Sequence, residues 1–332
     1  MKSPMLDLLQ MLKGFWHSRI LFAGQELGVF DFLAQGPKTA AQVAQGLRLD
    51  LRGVEILLNA LAALELLRKD TERFCVNPAV EDALVAGRPG SQASIIAHHR
   101  MMWDSWGHLD ETICSGRPWR PPAGSSRTPD SKRVRAFIQG MAEIGQAAAR
   151  ELAGRVDLTH VERVLDVGGG PGTYSIALAR RKPTLRATIL DLPKPLEVAR
   201  EYIARSGMQQ QVEARKGNAL KDDFGSGYDL ALVSNLLHSF GPDDNARIVR
   251  KSAEALAPQG WLIVNEFALN EDRVSPVSAA LFAVNMLANT EQGRTYTVGE
   301  IAQWMAEAGL KNIRHEDLLG HSTLTYGQKV AA

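Results

Sequence analysis

The chain has 332 residues with 38 Lys and Arg against 37 Asp and Glu, long enough for two substantial cores and too evenly charged to be drawn as a whole toward nucleic acid or anionic lipid. Its two cysteines, Cys75 and Cys114, stand far apart without neighbouring metal ligands, which argues against a disulfide framework and against zinc or any other metal site. No leader-like segment and no run of about 18 apolar residues is present, so a cytoplasmic protein without membrane insertion is expected.

The first 85 residues read as a mostly helical domain. Ile20, Leu21, Ala23, Leu27, Phe30 and Leu33 recur at helical spacing and predict a helix that Gly36-Pro37 ends. Thr39 followed three residues later by Gln42 predicts an N-cap. Val54, Leu57, Leu58, Leu61, Leu64 and Leu67 mark the apolar face of a third helix, from about Leu51 to Leu67. Leu66 to Val76 alternates around the charged turn 69–73 and predicts a hairpin. Three helices and a hairpin make a winged-helix pattern. The helix that would enter a DNA groove carries Glu55, Glu65 and a leucine face, whereas phosphate binding calls for clustered Lys and Arg. Packing and dimerisation through these helices is therefore expected, and a DNA-binding regulator is the weaker reading.

Residues 86–155 predict a helical linker that contributes to a pocket. Its aromatic and methionine side chains include His98, His99, Met101, Met102, Trp103 and Trp106. Pro118, Pro121 and Pro122 mark a loop, and a helix from about Ser131 to Leu152 leads onward. The basic run Lys132-Arg133-Val134-Arg135 reads as a solvated helix face.

From about residue 156 the pattern becomes short apolar runs separated by amphipathic helices. Val164–Val167, Ala187–Leu190, Val212–Arg215, Leu230–Ser234 and Leu262–Asn265 predict strands of a parallel sheet covered on both faces. Two final strands, about 312–319 and 322–329, form a hairpin, which predicts an antiparallel edge strand.

Asp166-Val167-Gly168-Gly169-Gly170-Pro171-Gly172 lies where a strand gives way to a helix. Glycines there allow a tight turn and close approach of a ligand to the backbone. A dinucleotide loop would read G-x-G-x-x-G; here Thr173 stands at the third glycine position. Asp166 would also repel a pyrophosphate, but it suits a methyl donor carrying an amino group and a sulfonium. Asp191 ends the next strand, where an acid reaches the ribose hydroxyls of an adenosine ligand; it could also cap the helix that follows, but its spacing from the glycine loop favours the ligand. Asn218, after the third strand, offers a side-chain amide to an adenine edge. His238 follows the fourth strand at the carboxyl edge of the sheet and suits a general base.

Together, Val164-Leu165-Asp166-Val167-Gly168-Gly169-Gly170, Asp191-Leu192-Pro193, Leu236-Leu237-His238 and Ala255–Gly260 resemble the methyltransferase domain of a family of plant and bacterial O-methyltransferases. That family includes caffeate, acetylserotonin and antibiotic-tailoring enzymes. Glu26–Asp31 and Leu57–Leu61 resemble the same family's dimerisation module. The resemblance covers nearly the whole chain. It implies a winged-helix-like dimerisation domain at 1–85, the linker at 86–155, and at 156–332 a Rossmann-like α/β methyltransferase domain. That last domain should hold a mostly parallel seven-stranded sheet and a C-terminal antiparallel hairpin.

The resemblance also implies S-adenosyl-L-methionine as cofactor, a small-molecule acceptor and a homodimer. It places Asp166, Gly168, Gly170, Asp191, Leu192, Asn218, Ala219 and Ser234 at the cofactor, with Met141 near the methyl group and His238 as base. Trp103, His99, Phe282, Met286 and Asn289 are the expected acceptor-binding residues. The chain departs from the family at His238-Ser239-Phe240, where the family has His-Asp-Trp. It departs again at Gly293, which stands where plant members have a Glu that orients the histidine. Glu291 or Glu266 could take that role. These departures keep carbon methylation of a tetrapyrrole-like or other conjugated ring open beside O-methylation, as well as a relative that binds the cofactor without methylating.

Overall fold

The computed structural model describes residues 4–121 and 130–330, and the chain divides into two compact units, residues up to 101 and residues from 102 onward.

The first unit opens with α1 (Pro4–Glu26) and α2 (Val29–Leu33). The single apolar stripe through Leu33 is thus split into two helices. Gly28 between them takes φ 74°, a left-handed conformation that costs glycine little because it has no Cβ. Next come β1 (Lys38–Thr39), α3 (Ala40–Leu47), α4 (Leu51–Ala63), β2 (Leu67–Asp70), β3 (Arg73–Val76), α5 (Glu81–Leu84) and α6 (Ala93–Met101). Thr39 and Gln42 form a reciprocal cap: the Thr39 amide donates to Gln42 Oε1 at 2.9 Å, and the Gln42 amide donates to Thr39 Oγ1 at 3.2 Å. Helix α4 ends four residues before Leu67 because Glu65 takes φ 59° and turns the chain into β2. The three strands make a small antiparallel sheet in the order β1-β3-β2. Phe30, Leu33, Leu58, Leu61 and Phe74 fill the core between it and the helices.

The second unit begins with α7 (Trp103–Gly107), α8 (Leu109–Ser115) and the long α9 (Asp130–Arg155). There follow β4 (Arg163–Val167), α10 (Thr173–Arg181), β5 (Arg186–Asp191), α11 (Pro193–Ser206), β6 (Val212–Lys216) and β7 (Tyr228–Ser234). A 3₁₀ turn over Leu237–Ser239 leads to α12 (Pro242–Ala255), β8 (Leu256–Glu266), α13 (Val277–Asn289), α14 (Val298–Glu307), β9 (Lys311–Leu318) and β10 (Ser322–Gln328). The seven strands are ordered β6-β5-β4-β7-β8-β10-β9. Strand β10 runs antiparallel to both its neighbours. The antiparallel strand is therefore the one inside the edge: the hairpin folds back so that its second strand pairs with β8 and its first becomes the outer strand.

Apolar side chains pack both faces of this sheet. Leu178, Ile189, Leu196 and Leu230 lie in one layer, and Leu165, Val233, Ile248 and Met305 in the other. In the basic run, Arg135 makes a two-pronged ion pair with Glu201 of α11, at 2.9 and 2.7 Å. Among the described residues no helix is long and apolar enough to cross a membrane.

Candidate active site

Strands β6, β5, β4 and β7 are consecutive neighbours and run parallel, so their carboxyl ends line one edge, where ligands bind in open α/β sheets. Asp191 is the last residue of β5 and Ser234 the last of β7; Asn218 follows β6 by two residues. The glycine loop connects β4 to α10. Gly168, Gly170 and Gly172 have φ of 67°, 53° and 78°. A Cβ at Gly168 would lie 2.6 Å from a Leu236 methyl, whereas one at Gly170 would meet nothing within 4 Å. Gly170 therefore borders open space, and its amide donates to Asp191 Oδ2 at 2.8 Å. That bond ties the loop to the tip of β5.

Two carboxylates lie close to this loop, Asp191 at its edge and Asp166 beneath it. Asp191 also accepts the Leu192 amide at 2.6 Å, and burial raises its pKa. It does not cap the following helix, whose N-cap is Leu192 without a side-chain bond. Asp166 is fully buried beneath the loop, where a Cβ on Gly169 would come within 2.6 Å of its carboxyl carbon. Its Oδ2 accepts the Ser175 hydroxyl at 2.7 Å, while its Oδ1 is buried without a hydrogen-bond partner. Burial above all, with the nearby Asp191 charge, pushes its pKa up to about 6. A pair of acids around an open glycine loop fits a ligand that offers hydroxyls and positive charge, and it opposes a pyrophosphate.

Of the other expected cofactor residues, Asn218 and Ala219 follow β6 and Leu192 follows β5. Asn218 Oδ1 accepts the Leu220 amide at 2.8 Å, which closes a turn. The Ala219 carbonyl accepts Lys251 Nζ at 2.8 Å. Leu192 is exposed at the rim, and Met141 is half-buried on α9, which packs against α10.

The clearest chemistry sits at His238. Its Nδ1 lies 2.8 Å from Glu266 Oε2, and its side chain is only 12% exposed. Glu266 Oε1 accepts the backbone amides of Leu237 at 2.7 Å and His238 at 3.4 Å, so one carboxylate holds both the ring and its turn. Buried Asn245 donates to the Leu237 carbonyl at 2.9 Å, and Tyr296 donates to the Phe240 carbonyl. With a carboxylate on Nδ1, the proton belongs there and Nε2 carries the lone pair.

The second acid of plant members is sterically barred here. A Cβ on Gly293 would lie 2.3 Å from the His238 carbonyl oxygen. Glu291 pairs instead with Arg120 at 3.1 Å. Of the two substitutes considered from the sequence, Glu266 is the one on the histidine.

Phe282 packs edge-on against the His238 ring at 4.9 Å between centroids, and Phe267 stacks obliquely on Phe282 at 4.6 Å. Met286, one turn further along α13, is buried. Asn289 is engaged locally: its Oδ1 accepts the Ser105 hydroxyl at 2.9 Å and its amide donates to Asn285. Trp106 Nε1 donates to Asn285 at 3.0 Å. These bonds pin α7, which carries Trp103, to α13. His99 belongs to the first unit, where its Nδ1 lies 2.9 Å from the Ile95 carbonyl oxygen. The sequence reading missed Asn245, Asn265, Tyr174 and Ser175. Only Asn265 left a signal, as a polar residue closing an apolar strand at the ligand edge.

Fold and site define a methyltransferase-type α/β unit with a histidine–carboxylate pair beside its glycine loop. An O-methyltransferase domain model matches residues 106–311, and an O-methyltransferase dimerisation domain model matches residues 9–87. The chain belongs to the O-methyltransferase family. It is 33% identical over 312 residues to the 3-hydroxy-5-methyl-1-naphthoate 3-O-methyltransferase of Streptomyces sahachiroi, covering 92% of this chain and 90% of that protein. It is 29% identical to the tetracenomycin polyketide synthesis 8-O-methyl transferase of Streptomyces glaucescens, over 97% of this chain and 96% of that one. The structure of human N-acetylserotonin methyltransferase in complex with SAM superposes with a TM-score of 0.88 at 25% identity, covering 99% of each chain.

Proposed function

We propose that this chain binds S-adenosylmethionine at the glycine loop and methylates a hydroxyl of a small apolar aromatic or polyketide-like acceptor, with His238 as the general base. The His238–Glu266 contact of 2.8 Å carries this reading, because it fixes the ring through Nδ1 and leaves Nε2 oriented beside an aromatic wall. When bound, the cofactor supplies a methyl group already activated on a sulfonium. What remains for the protein is alignment and removal of one proton. His238 Nε2 accepts the proton of the acceptor hydroxyl. Glu266 fixes the ring and stabilises the imidazolium that forms. Phe267 and Phe282 shield the site from water and offer flat apolar surface to an aromatic ring. Asp191 accepts hydrogen bonds from ribose hydroxyls, and Asp166 supplies negative charge beneath the loop.

One relative is named for 3-O-methylation of a hydroxynaphthoate and another for 8-O-methyl transfer in polyketide synthesis, which supports the acceptor class. Assembly follows from the first unit: Leu8, Met11, Leu12, Phe15 and Trp16 form one exposed apolar stripe along α1, and a second copy of the chain covers it in a homodimer.

The test is transfer of isotopically labelled methyl from S-adenosylmethionine to a panel of hydroxynaphthoates and hydroxylated polycyclic aromatics, with the product position read by NMR. The label should appear on oxygen. Label on ring carbon, or none with any acceptor while the cofactor binds, would overturn the reading.

A further inference from the structure

Adjacent residues at the end of β8 face opposite duties. Glu266 serves His238, whereas Asn265 serves the other side. Asn265 is fully buried. Its Nδ2 donates to the Tyr174 hydroxyl at 3.0 Å and to Ser234 Oγ at 2.9 Å, and its Oδ1 accepts the Ser322 hydroxyl at 2.7 Å. One amide thus uses both its donors and its acceptor on three different elements. Tyr174 stands in the first turn of α10, directly after the glycine loop, Ser234 ends β7, and Ser322 begins β10. Tyr174, Ser234 and Ser322 are buried as well.

We propose that Asn265 is a positioning residue for cofactor binding. It sets the spacing between the glycine-loop helix and the β7 tip, and through Ser322 it makes that spacing depend on the C-terminal hairpin. The physical case is satisfaction of buried polar groups. A buried amide with all its bonds made rigidifies its surroundings, whereas removing one partner leaves the others unsatisfied in a low-dielectric interior. Loss of Asn265 takes a donor from both Tyr174 and Ser234 and so shifts them toward new partners. Both border the space between loop and strand tip. Burial raises the pKa of Tyr174, so it stays a neutral hydroxyl able to bond in both directions.

This inference rests on the cofactor reading of the glycine loop, and the experiment separates the two. Cofactor affinity is measured by calorimetry on full-length protein, with thermal stability recorded alongside. Asn265→Val replaces the amide with an apolar residue suited to a strand and should weaken S-adenosylmethionine binding roughly tenfold. Ser322→Ala is a minimal change on a hairpin that carries none of the assigned cofactor residues, and it should weaken binding by roughly threefold. The double change Tyr174→Phe with Ser322→Ala should be non-additive in affinity, because both hydroxyls bond the one Asn265 amide. Additive effects in that cycle would overturn the proposal. So would an Asn265→Val or Ser322→Ala protein that melts earlier but binds the cofactor as wild type does. Asp191→Ala serves as the control: if it too leaves binding unchanged, the cofactor reading fails rather than the role of Asn265.

Discussion

The two units are marked by different departures from ordinary packing. The first leaves large apolar side chains in water: Met11 is 76% exposed and Leu12 63%. The second takes polar groups out of water, among them Asp166, Asn245, Asn265 and Glu266. Each departure costs stability in the isolated chain, and each is a sign of function. Exposed apolar surface calls for a partner of like character. Buried polar groups at the carboxyl edge of a sheet call for a ligand or a reaction. The division of labour within the family, dimerisation in one unit and chemistry in the other, is thus written in which kind of atom sits on the wrong side of the surface.

The comparison can be broken at either end, and the largest effect is expected at the apolar one. Leu12→Asp with Phe15→Asp removes four apolar side chains from a twofold interface. At about 1.5 kcal/mol each, that is a loss of about 6 kcal/mol, enough to turn a dimer into monomers in sedimentation. A wild-type protein that sediments as a monomer would remove the partner from the argument.

At the polar end, His238→Ala should lower turnover by about 10²–10⁴-fold while calorimetry shows cofactor affinity nearly intact. Turnover at the wild-type rate would make the histidine structural. Glu266→Gln should fall between the two, because the ring keeps a hydrogen-bond partner but the imidazolium loses its countercharge.

Asp166 sharpens the contrast through pH. Its folded pKa, pushed up to about 6 mainly by burial, lies about two units above that of an ordinary carboxyl. The folded chain therefore holds a proton that the unfolded chain has released between about pH 4 and pH 6. Stability is lost as pH rises through that window, by about 3 kcal/mol for two units. Asp166→Asn should lack this fall when denaturant unfolding is followed from pH 4 to pH 7; a parallel profile in both proteins would place the cost elsewhere.

The smallest effect is expected at Asp191→Ala. It should weaken cofactor binding by about 1.5–3 kcal/mol, the scale of bonds to a charged group. Unchanged affinity would detach the β5 tip from the ligand.

Much of this was legible in the chain. Apolar periodicity separated helical unit from α/β unit, and the Thr39 and Gln42 pair announced its capping box. The glycine loop, Asp191 and His238 could be placed at one sheet edge because parallel strands bring their carboxyl ends together. What escaped was set by tertiary contact. Gly28 looked like one more residue in a helix until its positive φ split α1 from α2. The choice between Glu266 and Glu291 depended on which one the fold carries to His238, and no spacing rule encodes that. Asn245 and Asn265 are buried by packing that only the assembled sheet supplies. The antiparallel strand was expected at the edge because a hairpin gives no indication of which arm will pair inward.

That last feature bears on how the molecule is made. Strand β10 is synthesised after both β8 and β9, yet it lies between them. Until Ser322–Gln328 have left the ribosome, β8 presents an unpaired row of amides and carbonyls to the cell. That open edge is a template for stray pairing. The central sheet therefore stays unfinished on its β8 side until the last strand of the chain is made.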